Sequence, residues 1–144
     1  MFERYTEKAH RALFFARLEA RRTGSRFIQP EHLLLGLIRE DPELLLEFLT
    51  QEQIDTAQKE TEAKLGSGEP LPASEDLPLS DTAKRALAYA AEESQRMDRS
   101  LLLKKIEPGH LLVGLLREEN TAAADLLRRQ GLDAITVQRK ISAS

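Results

Sequence analysis

The residues best suited to acid–base or metal chemistry in this 144-residue chain are three histidines, His10, His32 and His110. Two of them recur in one setting, Pro30-Glu31-His32-Leu33-Leu34 and Pro108-Gly109-His110-Leu111-Leu112. A zinc site usually needs at least three His, Cys or carboxylate ligands. Cys is absent, which excludes disulfides, thiolate metal sites and Cys nucleophiles. The chain has neither a Gly-x-Ser-x-Gly nucleophile elbow nor a Gly-x-x-x-x-Gly-Lys-Ser/Thr phosphate loop. No cofactor or metal is therefore expected, and no binding or hydrolysis of ATP. The paired histidines read as packing or hydrogen-bonding groups near a helix start. A small metal-dependent or His-based hydrolase stands as the enzymatic alternative.

Glu31 follows Pro30, which suits the first turn of a helix because its missing N–H costs little there. A carboxylate in that turn is favoured by the helix dipole by roughly 0.3–1 kcal/mol. Thr6 and Ser80 each precede an apolar-periodic run, where a hydroxyl can accept a free backbone N–H as an N-cap.

The elements that would position these groups come in two copies. Thr6-Glu-Lys-Ala-His-Arg-Ala-Leu-Phe-Phe-Ala16 matches Ser80-Asp-Thr-Ala-Lys-Arg-Ala-Leu-Ala-Tyr-Ala90, and Ile28–Glu40 matches Ile106–Glu118 with Pro, His, Leu-Leu, Gly, Leu and Arg-Glu in order. Thr6 and Ser80 are 74 residues apart, Pro30 and Pro108 are 78 apart, so a four-residue insertion is expected in the connecting loop of the second copy. Such internal similarity marks a duplication.

Within each copy the periodicity is helical. Ala9, Ala12, Leu13, Ala16 and Ala20 form one apolar face. The Leu-rich second helix should be the buried central one, and Gly36 and Gly114 interrupt it at matching places. Gly in a helix interior costs about 0.8–1 kcal/mol relative to Ala, so its repetition predicts close helix–helix approach. A third helix is expected at Glu43–Thr50 and Thr121–Gln130, and a fourth at Ile54–Leu65 and Asp133–Ile141. Arg39-Glu40 and Arg117-Glu118 are expected to end a solvated helix or to bridge the repeats. The segment Gly66–Pro78, with three prolines and two glycines, reads as a linker, flexible at its Gly end and extended at its Pro end. The expected organisation is an all-α fold of two tandem four-helix repeats, residues 1–65 and 80–144, joined by a linker at 66–79. Copies of about 60 residues are marginal alone, so the halves should pack as one pseudo-two-fold domain.

Composition narrows the function classes. Hydrophobic residues make up 41% and aromatics 5%, so Leu, Ile and Ala must fill the core. Charged residues reach 31%, but the net charge is only -3, which lacks the clustered basic excess of nucleic-acid binders. No apolar run approaches the roughly 20 residues that span a bilayer, and no signal-peptide core follows Met1. A cytoplasmic protein is the economical expectation.

The paired segments Tyr5-Thr6-Glu7-Lys8-Ala9 and Pro30-Glu31-His32-Leu33-Leu34-Leu35-Gly36-Leu37, repeated around Ser80 and Pro108, resemble the double Clp-N motif of the Clp (Hsp100) protein-unfolding chaperones, nearest the ClpC type. The resemblance runs from Phe2 to about Ile141. It implies a non-catalytic, bacterial protein-binding module of the ATP-dependent chaperone–protease system. Its partners would be adaptor proteins or protein substrates of a Clp ATPase, or the ATPase itself. It also implies recognition of phosphoarginine, with Thr6 and Glu31 matching one pocket and Ser80 and Gly109 the equivalent places of a second. Gly109 supplies no carboxylate, so the second pocket would be degenerate. The chain could be the N-domain of a longer ATPase or a free-standing homologue. A structural dimerisation domain is a further alternative, one that calls for an exposed apolar stripe.

Overall fold

A computed structural model describes residues 4–96 and 105–142. It contains eight helices among the described residues: α1 Glu7–Arg22, α2 Pro30–Glu40, α3 Pro42–Leu46, α4 Gln51–Leu65, α5 Asp81–Arg96, α6 Pro108–Arg117, α7 Ala122–Arg129 and α8 Ala134–Ser142. The expected all-α duplication is present. Among the described residues the only extended pairings are two single-residue parallel bridges, Tyr5 with Ile106 and Ile28 with Leu79. The expected loop insertion of the second copy falls largely outside the described residues.

α1 buries Ala9, Ala12, Ala16 and Ala20, a strip of small side chains, against α2. A Cβ on Gly36 would run into the Ala12 carbonyl oxygen, and one on Gly114 into that of Ala86. Close approach is thus what the two repeated glycines provide. The α1–α2 pair is antiparallel. Lys8 and Arg11 near the start of α1 meet Asp41 and Glu40 at the end of α2, at 3.8 and 2.9 Å. Glu19 near the end of α1 acts electrostatically on His32 at the start of α2. The second repeat carries the same pair, Arg85 to Glu118 at 2.6 Å. Glu40 and Glu118 therefore clamp helices within their own repeats instead of bridging the two.

The halves share one core, which runs from Tyr5 through Leu34 and Leu45 to Leu112, Leu127 and Val137. A small apolar void is lined by Ala12, Leu13, Leu33 and Leu37 and by their exact repeat counterparts Ala86, Leu87, Leu111 and Leu115. That matched lining locates the pseudo-two-fold axis.

Two expectations need correction. α3 stops at Leu46, four residues before the expected end, and α4 starts at Gln51, three before the expected start. The cause is a capping box. The Thr50 hydroxyl accepts from Gln53 N at 3.1 Å and the Gln53 side chain accepts from Thr50 N at 2.9 Å, which starts a new helix there. The Gly end of the linker is also pinned, not free. Gly68 N donates to Thr23 O at 2.8 Å, Leu71 N donates to Arg21 O at 2.9 Å, and Leu77 is buried.

Candidate functional site

Thr6 and Glu31, matched to one pocket by the resemblance, are not brought together. They lie at opposite ends of the antiparallel α1–α2 pair, about 20 Å apart at 1.5 Å per helical residue. The backbone bridges join helix starts across the repeats instead. Thr6 N donates to Ile106 O at 3.1 Å and Ile106 N to Arg4 O at 2.7 Å, so the start of α1 adjoins the approach to α6 and Gly109. Ser80 N donates to Ile28 O at 3.0 Å and Ile28 N to Pro78 O at 2.9 Å, so the start of α5 adjoins the approach to α2 and Glu31. The pairs that share a location are Ser80 with Glu31 and Thr6 with Gly109.

At the first location Glu31 is buried, and its Oε2 accepts from Ala123 N of α7 at 2.9 Å. A first-repeat carboxylate thus caps a second-repeat helix, satisfying one of the N–H groups that a helix start leaves open. Its Oε1 has no hydrogen-bond partner among the described residues. Ser80 Oγ accepts from Ala83 N at 3.2 Å and lies 3.2 Å from Thr82 Oγ1. The starts of α2 and α7 therefore meet at this carboxylate, and the start of α5 adjoins the approach to α2.

At the second location the seal is missing. A Cβ on Gly109 would lie 3.0 Å from Ile141 Cγ2 of α8. A cleft of about 510 Å³ opens there between Lys8, Asp41 and Leu44 of the first repeat and Gly109, His110 and Ile141 of the second. Asp41 is occupied as the cap of α3, accepting from Leu44 N at 3.3 Å, and as the 3.8 Å partner of Lys8. Thr6 caps α1 through Ala9 N at 3.2 Å. Burial pushes the neighbouring Tyr5 phenol up to about 12, so it carries no charge at neutral pH. Lys8 and Asp41 escaped sequence reasoning. The Asp-Pro at 41–42, a cap followed by a first-turn proline, was their one available signal.

The repeated histidines have a shared structural task. His32 Nδ1 accepts from Gln29 N and His110 Nδ1 from Glu107 N, both at 2.9 Å. Each imidazole stands three residues after the N-cap, where Glu or Gln closes an ordinary capping box. Accepting through Nδ1 assigns the proton to Nε2. His32 is fully buried, its Nε2 has no hydrogen-bond partner among the described residues, and burial lowers its pKa to about 4. The third histidine, His10, is exposed beside the Tyr5 ring. No group of three metal-ligating side chains occurs among the described residues.

The chain is thus a duplicated four-helix domain whose helix starts adjoin across its halves. Residues 4–130 match the Clp repeat (R) N-terminal domain family, and the chain belongs to that family. It is 36% identical over 143 residues to the chloroplastic chaperone protein ClpC of Pisum sativum and to the ClpA homologue, an ATP-dependent Clp protease ATP-binding subunit, of Guillardia theta. In both cases 98% of this chain is covered, but only 15% and 17% of those relatives. The crystal structure of the N-terminal domain of ClpD from Arabidopsis thaliana superposes with a TM-score of 0.69 at 31% identity, covering 96% of this chain and 95% of that one. The Hsp104 N-terminal domain of Candida albicans, at 20% identity, shares the fold with a TM-score of 0.67, covering 96% and 89%. The relatives from land plants are named as chloroplastic, so the expectation of a bacterial, cytoplasmic setting draws no support from them. No helix among the described residues is long and apolar enough to cross a membrane.

Proposed function

We propose that the chain is a non-catalytic protein-docking module that receives adaptors or substrates for a Clp-type ATPase, and that its candidate marker site is the Ser80–Glu31 location. The observation that carries this reading is the Glu31 carboxylate at the start of α2, with one oxygen accepting from Ala123 N of α7, the other without a hydrogen-bond partner among the described residues, and the start of α5 joined to the same approach through Ser80 N and Ile28 O. The helix starts favour a phosphate through their N–H groups and dipoles. The available Glu31 oxygen suits the guanidinium of the same side chain, and charge-assisted bonds of that type contribute about 1.5–3 kcal/mol each. Phosphoarginine combines both groups. At the Thr6–Gly109 location no carboxylate stands at the counterpart of Glu31, and Asp41, which lines that cleft, is held by Leu44 N and Lys8, so that site would select the guanidinium less. The reading is the same for the N-domain of a longer ATPase and for a free-standing homologue.

Calorimetric titration of an arginine-phosphorylated peptide into the chain tests this, with the unphosphorylated peptide and free phosphate as controls. Binding at micromolar concentration by the phosphorylated peptide alone, weakened at least tenfold in Glu31→Gln, is the expected result. Equal binding of both peptides, or binding indifferent to Glu31→Gln, contradicts it.

A further inference from the structure

α7 belongs to the second repeat, yet the first repeat holds it at both ends. At its start Glu31 Oε2 accepts from Ala123 N at 2.9 Å. At its end Gln53 Nε2, from the first turn of α4, donates to Gln130 O at 3.2 Å. The partners fix the orientation of the Gln53 amide, because its oxygen accepts from Thr50 N at 2.9 Å and its nitrogen meets a carbonyl.

The end of α7 is a well-defined stop. Gly131, at φ 91°, carries the chain through the left-handed region. Gly131 N donates to Arg128 O at 2.9 Å and Leu132 N to Leu127 O at 3.1 Å, and Leu132 is buried. That pair of bonds is a Schellman ending. It uses the Leu127 and Arg128 carbonyls and leaves that of Gln130 to Gln53. Ala123 and Gln130 are separated by two helical turns, about 10 Å at 1.5 Å per residue. Apolar burial presses α7 onto its neighbours, but it is non-directional. The hydrogen bonds at its two ends are directional, and they set where along its axis the helix rests.

The other junction between the repeats lacks both holds. Gly109 stands where the first repeat has Glu31. Thr136, three residues after its cap Asp133, stands where the first repeat has Gln53, three residues after Thr50. The Thr136 side chain is shorter than that of Gln and is exposed. There the cleft of about 510 Å³ opens between Asp41 and Leu44 on one side and Gly109 and Ile141 on the other. At the first junction Glu31, Ala123 and Ala124 are buried. Both holds are present where the repeats close on each other, and both are missing where they stand apart.

We propose that Gln53 is a positioning residue of the Ser80–Glu31 location. By holding the end of α7 it sets Ala123 N–H against Glu31 Oε2, and so leaves Oε1 to the guanidinium of the ligand. This rests on the phosphoarginine reading of that location and adds a residue that does not touch the ligand.

Gln53→Glu separates the two tasks of this side chain. Glu keeps the oxygen that closes the capping box of α4 and suits its first turn. It loses the donor and sets a carboxylate against the Gln130 carbonyl. Thr50→Ala does the reverse, weakening the cap of α4 while leaving the Nε2 donor in place. The test is NMR of the full chain in both variants. Without ligand, the Ala123 amide proton is expected to move upfield and exchange faster in Gln53→Glu, and to stay in place in Thr50→Ala. Phosphoarginine affinity should fall about threefold in Gln53→Glu, within the range of one neutral hydrogen bond, and hold in Thr50→Ala. Circular dichroism checks the helices, and Gln53→Met replaces Gln53→Glu if the latter loses them. An unmoved Ala123 amide, an equal response in Thr50→Ala, or undiminished affinity in Gln53→Glu overturns the proposal. If the unaltered chain binds no phosphoarginine, the reading of the site fails, while the ligand-free Ala123 shift still decides whether Gln53 sets the Glu31 bond.

Discussion

The carboxylate of Glu31, in the first repeat, accepts a 2.9 Å hydrogen bond from the backbone N–H of Ala123, in the second. Glu31 is thus both a candidate recognition group and a cap that ties the halves together. Replacing an N-capping side chain with Ala costs about 0.5–2 kcal/mol. Glu31→Ala is expected to lower the unfolding free energy by about 2 kcal/mol in urea denaturation, and Glu31→Gln, which keeps an acceptor oxygen, by less. Unchanged stability in Glu31→Ala would show that the cap contributes nothing.

Gly36→Ala and Gly114→Ala set two effects against each other. Helix propensity favours Ala by about 0.8–1 kcal/mol. The new Cβ, however, meets the backbone carbonyl of Ala12 or Ala86, which cannot swing aside like a side chain. Overpacking typically costs about 1–3 kcal/mol, and contact with backbone belongs at the upper end. Net destabilisation is expected in both variants, measured as a lower urea midpoint. A stabilised variant would mean that α1 and α2, or α5 and α6, separate easily.

His32 makes stability depend on pH. Burial lowers its pKa to about 4 in the folded chain, against an ordinary value of 6.5. The unfolded chain therefore binds more protons between those values, so stability falls as pH drops from about 6.5 and levels off near 4. Each pKa unit corresponds to about 1.4 kcal/mol, which puts the total on the order of 3 kcal/mol for His32 alone. Glu19, the charged group acting on it, opposes the shift without reversing it. His32→Gln should keep the capping bond, as Gln53 does for Thr50, and flatten this part of the pH profile. An unchanged profile in His32→Gln would assign the dependence elsewhere.

Gly109→Glu tests the pairing of helix starts across the repeats. The new Cβ meets no backbone but lies 3.0 Å from the Cγ2 branch methyl of Ile141, so that side chain must give by a few tenths of an ångström. A carboxylate then enters the cleft beside Lys8 and near the start of α1. Phosphoarginine binding should appear there, with amide shifts at Glu7, Lys8 and Ala9. Shifts at Asp81–Ala83 alone would mean that Gly109 and Thr6 do not share a site.

Much of this was legible because the duplication doubled each signal. Pro30 and Pro108 marked helix starts, and Gly36 and Gly114 marked close approach, all at positions where local chemistry and packing agree. Thr50-x-x-Gln53 was equally legible as a capping box, and reading it would have placed the start of α4. The neighbours of Thr6 were not legible. Residue spacing says that Thr6 and Glu31 begin successive helices, but an antiparallel pair carries those starts to opposite ends. Which half then supplies the neighbouring start depends on the Tyr5–Ile106 and Ile28–Leu79 bridges, and these join residues more than fifty apart in sequence. The linker failed for a related reason. Its glycines permit flexibility, but the Arg21 and Thr23 carbonyls of α1 and its cap hold it.

The most direct measurement of the central claim is an NMR titration of the full chain with free phosphoarginine, following the first-turn amides of α1, α2, α5 and α7. The account predicts saturable shifts at Asp81–Ala83, Glu31 and Ala123 that weaken in Glu31→Gln, while Glu7–Ala9 respond little and to phosphate equally. Shifts at Glu7–Ala9 with none at Asp81–Ala83, or no saturable shift at all, would contradict it.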